Sequence, residues 1–315
     1  MRSLIRVKQI FCRSVSRSVV FLLLLCAGAY AATAASFLDN GLGARSEGLA
    51  RTFTAVADDL DAFYYNPAGY GLQKKTRANT LFARNRNIES VYYAGYGSRL
   101  GRGYAAFNLY SSSIDGIPVM ELDSKNRPVD TGQSFSAVDR VFVFSYGRPL
   151  DGLPGSTELG ASALSWGVSV KYIQQTLYDN HASGAGLDAG LLYRTGPLTA
   201  GWSVINLLEP QLAWDTDSGA VGTVKRQQRF GLAYRILPEL LASGELVLRE
   251  NDVLTGLGVE YTLRDIFALR GGIFTEHYVL GLGLVYAGIS LDYAYLIPLD
   301  YLVDPTQKIS LGYVF

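Results

Sequence analysis

The sequence predicts an all-β protein: a transmembrane antiparallel β-barrel of about 14 strands. Three observations carry that expectation. From about residue 77 onward the chain alternates large apolar residues with small or polar ones, the period-2 pattern of strands. The large faces are capped by Tyr or Trp, which suits a lipid-facing wall with aromatic rings at both interfaces. The chain then ends on Phe315, preceded by apolar residues at alternate positions.

Residues 1–34 read as a secretory leader. Arg2, Arg6, Lys8, Arg13 and Arg17 give a basic start, residues 19–25 are unbroken apolar, and small residues follow at Ala27, Gly28, Ala29, Ala31 and Ala32. A cut after Ala31 or after Ala34 fits the small-residue rule. The alternative is an uncleaved anchor, but an apolar core of about 12 residues is short for roughly 30 Å of hydrocarbon. Cys12 and Cys26 both fall inside this leader, so the mature chain must be held by its core or by a closed sheet rather than by disulfides. Leu25 sits where a lipoprotein signal needs a small residue before Cys26. Without the five leader cations, 23 of the 28 basic residues face 28 acidic ones. That balance is no nucleic-acid footprint. No later run approaches 18 apolar residues, the length of a helical span.

Residues 35–76 break the strand pattern. The stretch "ADDLDAFYYNPAGYG" (57–71) leads with acids, continues with aromatics and closes on turn residues. Pro67 lacks an N–H and fixes φ. Asn66 can bond the neighbouring backbone, and Gly69 and Gly71 permit conformations closed to other residues. The segment is expected to make a turn at Asn66, Pro67 and Ala68.

The barrel is expected over residues 77–315, with strands beginning near 77, 89, 102, 138, 162, 184, 197, 226, 240, 253, 265, 278, 287 and 306. "YVLGLGLVYA" shows the pattern: Tyr278, Leu280, Leu282, Leu284 and Tyr286 share one face, and Val279, Gly281, Gly283, Val285 and Ala287 the other. Residues 278–286 rise about 27 Å along the strand. A tilt of roughly 40° leaves about 20 Å of height, near the apolar band of an outer-membrane barrel. A soluble sandwich would also alternate, but with a Lys-, Glu- and Thr-rich polar face. The connections are expected to be long at 113–137, 174–183, 207–225 and 298–305. At the other end they are short ("SRLG", "TGP", "TLRD", "AG"), with "RPLDGLPGS" the longest. Long outer loops and short periplasmic turns are the topology of a bacterial outer-membrane barrel.

In "QKISLGYVF", Gln307, Ile309, Leu311, Tyr313 and Phe315 share a face. Tyr313 and Phe315 are expected to form the terminal signal read by the outer-membrane assembly machinery; an ordinary edge strand is the plain alternative.

Charges on the small faces are expected to point inward: Lys171, Asp188, Arg194, Arg229, Arg235, Glu245, Glu260, Arg270 and Asp292. A Lys or Arg on the lipid face near the midplane costs about 2–4 kcal/mol. They could pair with one another and with residues 35–76, or line a polar path or an anionic-headgroup site. Catalysis is not expected. His181 and His277 are the only histidines, and Asp179, His181 and Ser183 are mere neighbours in an outer turn. Two isolated histidines make a poor metal site, and no motif calls for a cofactor. The Gly-x-Gly pairs at 41/43, 256/258 and 281/283 lack the strand-to-helix setting of a phosphate loop.

At "GARSEGLARTFTAVADDLDAFYYNPAG" (43–69) the chain resembles the N-terminal signature of FadL-like outer-membrane proteins, closest in wording to the PorV/PorQ branch and to related spirochaete barrels. The matching positions are Gly43, Ala44, Gly48, Phe53, Thr54, Ala55, Ala57, Asp58, Asp59, Ala62, Tyr65, Asn66, Pro67, Ala68 and Gly69. The sequence departs from the signature at Leu49, Ala50 and Arg51, where a Met-Gly-Gly-like run is common, and at Tyr70, where Leu or Met usually stands. Residues 77–315 match in architecture and length only. The resemblance implies that residues 35–76 are a small hatch, which folds back into the lumen from the periplasmic side with Asn66, Pro67 and Ala68 as its turn, and that the chain then enters the first strand near Thr80. It implies one of two roles. FadL itself moves long-chain fatty acids and other hydrophobic compounds across the bacterial outer membrane, with exit through a kinked strand. PorV-like members are 14-stranded binding or shuttle proteins of type IX secretion, and 315 residues suit that smaller size. The partners implied are outer-membrane lipid, a hydrophobic small-molecule ligand, the assembly machinery and, in the second role, a secreted protein.

Overall fold

The computed structural model describes residues 35–150, 163–217, 219–275, 277–300 and 303–315. The expected leader and most of "RPLDGLPGS" lie outside the described residues. Strands β1 (Arg77–Asn85) and β2 (Glu89–Leu100) open the sheet, followed by β3 (Gly103–Leu122), β4 (Pro128–Pro149) and β5 (Ala163–Leu177). Next come β6 (Asn180–Thr195), β7 (Leu198–Leu208) and a short hairpin of β8 (Gln211–Trp214) and β9 (Val221–Thr223). The sheet continues through β10 (Gln227–Leu237), β11 (Leu240–Leu248), β12 (Val253–Leu263) and β13 (Phe267–Phe274). It ends with β14 (His277–Tyr286), β15 (Ile289–Pro298) and β16 (Thr306–Val314).

All pairings are antiparallel, and β1 closes the sheet on β16, from Arg77 opposite Val314 to Arg84 opposite Gln307. The ring holds fourteen strands. β8 and β9 stand outside it, stacked on the outer end of β6 through Ala182 opposite Trp214. A closed ring leaves no unpaired strand edge, which is how an all-β wall survives in hydrocarbon. Alternation then sorts the side chains. On β14, Tyr278, Leu280 and Leu282 are exposed outside, while Val279, Gly281 and Gly283 are buried inside. The same holds on β16, where Ile309, Leu311 and Tyr313 point out and Lys308 and Gly312 in.

The expected connections at 113–137 and 174–183 are mostly strand instead. β3 and β4 pair as far as Leu122 opposite Pro128, with bulges after Ile114 and Pro118. β5 and β6 pair to Leu177 opposite Asn180. Backbone bonds carry these extensions, and along β3–β4 beyond Ile114 the side chains are exposed or half-exposed on both faces. No apolar period marks them in sequence, because beyond the wall neither face must be apolar.

Tyrosine also divides differently from the expected aromatic belts. Tyr92, Tyr96, Tyr278 and Tyr286 are exposed outside, whereas Tyr65, Tyr70, Tyr93, Tyr104 and Tyr110 are among the most buried large side chains. Tyr70 stacks on Tyr104 at 5.7 Å, and Phe63 on Tyr93 at 5.6 Å. These rings join residues 36–72 to the inner wall.

Candidate functional site

The site is the lumen, which residues 36–72 enter. The segment is a chain of single turns: a 3-10 turn at Ser36–Asn40, helix α1 at Ala44–Gly48, helix α2 at Ala62–Tyr65, and a second 3-10 turn at Pro67–Leu72. None is long enough to be stable alone, so the wall must hold them. Helix α1 ends where Ala50 and Arg51 take φ of 52° and 58°, and the Ala50 and Arg51 N–H groups close onto Glu47 and Ser46 carbonyls at 2.7 and 2.9 Å. Glycine is the easy residue at such positions, which gives a physical meaning to the Gly-Gly of the resembled signature. Arg51 stands there because its guanidinium is used. It donates to the Asp39 and Asn40 carbonyls, both at 2.9 Å, and to Glu47 at 3.0 Å.

The three residues expected to make a turn, Asn66, Pro67 and Ala68, start a capped 3-10 turn. Asn66 is extended, and its Oδ1 accepts from the Ala68 N–H at 3.1 Å, the N-cap bond that short polar residues supply. Pro67 occupies the first helical position, where its missing N–H costs nothing. The Asn66 amide donates to the Thr54 carbonyl and, across to β6, to the Leu191 carbonyl at 3.0 Å. Gly69 serves close approach and not a positive φ: a Cβ there would overlap the Ala57 carbonyl. On the wall, Gly167 and Gly258 likewise leave room for the carbonyls of Pro67 and Leu49.

Wall hydroxyls reach the segment from several strands. Ser165 of β5 donates to the Ala68 carbonyl at 2.8 Å, Ser203 of β7 donates to the Tyr65 carbonyl at 2.7 Å, and Ser310 of β16 accepts from the Ala44 N–H at 2.8 Å. Lys308 of β16 uses all three ammonium donors, on the Asn40 and Gly41 carbonyls and on Glu47 at 2.7 Å.

The inward charges expected from sequence fall into groups. Lys171 meets Asp188 at 2.7 Å, and Arg229 meets Glu245 at 3.3 Å. Arg270 bridges Glu260 at 2.6 Å and Asp292 at 2.7 Å, and Arg45 of the segment joins Glu260 at 3.1 Å. Asp58 pairs with Arg45, and Asp59 lies 3.3 Å from the same guanidinium. Arg235 departs from the expectation. A bulge between Arg235 and Leu237 ends its register, and the exposed side chain donates to the Pro238 carbonyl in the adjoining turn at 3.0 Å. Arg194 is only half-buried, next to the turn between β6 and β7. Tyr313 and Phe315 are exposed, in edge-to-face contact at 4.7 Å, and the Phe315 N–H bonds the Thr76 carbonyl at 3.0 Å.

Sequence reasoning missed Arg45, Glu47, Arg51, Asp61 and Lys308. Lys308 carried a usable signal: a lone lysine on the small face of a strand whose other face is apolar. In the segment, burial acts to raise the Glu47 pKa, but Arg51 and Lys308 outweigh it and hold the carboxyl below its ordinary range. Asp61 goes the other way. Burial and the charge of Asp59 raise it well above the ordinary aspartate value, although Ser46 donates to it at 3.2 Å.

Between the segment and the longer connections lies a cavity of about 560 Å³. Phe63, Val141, Val143, Leu254, Phe274 and Leu296 supply an apolar side. Lys171, Asp188, Asn206, Gln227, Arg229 and Arg249 supply a polar one. At its wall β7 bulges: Asn206 takes φ 58°, and its N–H bonds Asp188 at 2.7 Å. The size and mixed lining suit one small organic molecule.

No protein-family model matches the chain, and no curated protein matches it. Solved structures do. A toluene transporter of Pseudomonas putida, TodX, superposes with a TM-score of 0.59 at 11% identity, over 87% of this chain and 99% of that one. A TodX mutant described as a monoaromatic hydrocarbon channel gives 0.58 at 12% identity, over 87% and 97%. A Pseudomonas aeruginosa FadL homologue gives 0.50 at 11% identity, over 86% and 97%. At these identities the likeness is one of fold: the chain has a FadL-like barrel.

Proposed function

We propose that the protein is an outer-membrane channel for uptake of small hydrophobic molecules, with residues 35–76 as its hatch and 77–315 as its wall. The observation that carries this reading is a fourteen-strand barrel filled by its own N-terminal segment, with a part-apolar cavity above it. A hydrophobic molecule gains from such a cavity at about 25 cal/mol per Å² of apolar surface removed from water. The segment bars an open pore, so passage needs the hatch to shift. Transport by the similarly folded TodX agrees with this reading. The role is non-enzymatic. Long-chain fatty acids, as the resemblance implies, are one candidate cargo. The terminal strand would be read by the assembly machinery on insertion.

The secretion-associated reading keeps the same barrel. It draws on the β3–β4 hairpin, which continues past the wall with exposed side chains on both strands, a surface suited to an exported protein. Mass spectrometry of co-purified molecules, with uptake assays on a deletion strain, separates the two. A bound apolar molecule and an uptake defect are expected. A captured protein with no bound molecule and normal uptake would overturn the channel.

A further inference from the structure

Resting on the outer-membrane reading, we infer that the outside of the wall from β1 to β5 binds one bis-phosphorylated glycolipid of the outer leaflet, near the barrel's outer end. The ground is an outward-facing polar patch. Alternation turns Arg84 of β1 and Arg140 of β4 away from the lumen, each exposed beside a buried neighbour, Ala83 and Val141. Strand register joins them. Arg84 stands opposite Ser90 of β2, which stands opposite Ser113 of β3. One outward position nearer the bilayer, Arg140 stands opposite Ser111 of β3 and Gln174 of β5. Both arginines lie at the end of the barrel away from Thr76 and Phe315, where the longer connections are. That end faces outward in a bacterial outer-membrane barrel.

The patch has cations and no anion. Glu89 and Asp139, at the same end of their strands, turn inward, Glu89 to Asn85 and Ser112 and Asp139 to Gln175. Asp115, Glu121 and Asp130 belong to the β3–β4 extension beyond the wall. Arg84 donates to the Asn87 carbonyl at 3.0 and 3.1 Å, and Asp304 beside that turn accepts from the Asn87 amide at 3.4 Å. Arg140 has no acidic partner among the described residues. A guanidinium at this level costs little beside water and gains where a phosphate meets its planar fork. Just below the arginines the outward residues are aromatic. Phe82 and Tyr92 touch at 5.3 Å, and Phe142 stands opposite Tyr172, a shelf at the level where acyl chains begin. Three strand spacings put β1 and β4 about 14 Å apart. That separation suits two phosphates on one disaccharide better than a lone phosphate, with Ser90, Ser111 and Ser113 between them for sugar hydroxyls.

The full mature protein in zwitterionic nanodiscs tests this, supplied with one acylated diglucosamine in bis-phosphorylated, monophosphorylated and dephosphorylated forms. Native mass spectrometry reads the retained lipid. One bis-phosphorylated molecule should be retained, about tenfold over the monophosphorylated form, the scale of one hydrogen bond to a charged group. The dephosphorylated form should be retained least. Arg84→Gln and Arg140→Gln should each cut retention of the bis-phosphorylated form about tenfold. Both side chains are exposed, so neither variant threatens the fold. Arg226→Gln, at the mouth of the lumen, should change nothing. Equal retention of the three forms, or wild-type retention by both arginine variants, would overturn the inference. So would a lipid-free pairing of two copies that both variants abolish, since the patch would then belong to a second copy of the chain. Failure to enter nanodiscs at all would sink the outer-membrane reading itself, and the inference with it.

Discussion

The ammonium of Lys308, on the last strand, lies 2.7 Å from the carboxylate of Glu47, in the first helix of the luminal segment, and both side chains are buried. The same ammonium holds the Asn40 and Gly41 carbonyls. The final strand of the wall thus grips nearly the first described residues of the chain, and the segment seats fully only once β16 is in place beside β1.

Breaking that grip should loosen the segment and leave the barrel standing. Lys308→Met removes one partner of a buried pair, a loss of about 3–5 kcal/mol, and should expose Arg45 and Arg51 to trypsin. Lys308→Met with Glu47→Gln should restore none of the protection, because Arg51 then loses its carboxylate as well. A single variant as protease-resistant as wild type would contradict the assignment.

Protonation of the segment should act from two sides. The Glu47 pKa is lowered in the folded state, so its stabilisation is present above the ordinary carboxylate range and is lost as pH falls through the lowered value. The Asp61 pKa is raised, so its contribution is present below the ordinary aspartate value and is lost as pH rises through the raised one. Hydrogen exchange of residues 44–61 should be slowest between those limits. Asp61→Asn should remove the loss on the alkaline side, and an unchanged profile would refute the assignment.

Space on the wall is equally specific. A side chain at Gly167 would run into the Pro67 carbonyl, whereas at Gly244, on an outer position of β11, the nearest atom lies 3.5 Å from a Cβ. Gly167→Val should therefore cost about 1–3 kcal/mol through overpacking and speed exchange in residues 66–72. Gly244→Ala should leave exchange there unchanged.

Deletion of Phe315 removes an exposed ring from Tyr313 and one backbone bond to Thr76. Little folded stability is at stake, so any large defect should be kinetic. Insertion into outer membranes should slow, as measured by heat-modifiable migration over time. Wild-type insertion would leave the terminal ring without an assembly role.

The wall was legible because lipid and lumen impose opposite demands on alternate residues: the faces of β14 and β16 follow directly from "YVLGLGLVYA" and "QKISLGYVF". The projecting β3–β4 hairpin escaped, since neither face there answers to lipid. Inside the lumen, sequence placed the charges of β5, β6, β10 to β13 and β15 but not their partners. Whether Arg45 meets Glu260 depends on strands and a segment more than 200 residues apart, and no local period records that. Asn66 was legible as a residue that bonds nearby backbone; that it caps a helix and ties it to β6 was not.

On the channel reading, the seated N-terminal segment closes the barrel and must move for cargo to pass. Ala44 and Ser310 touch across the segment–wall boundary, with the Ala44 N–H 2.8 Å from the Ser310 hydroxyl, and Cys12 and Cys26 fall in the expected leader. Ala44→Cys with Ser310→Cys therefore offers a reversible lock, its closure read by mass spectrometry. Uptake of labelled toluene by complemented deletion cells should fall to background on oxidation and return on reduction. Equal uptake by the fully cross-linked and reduced protein would contradict the account.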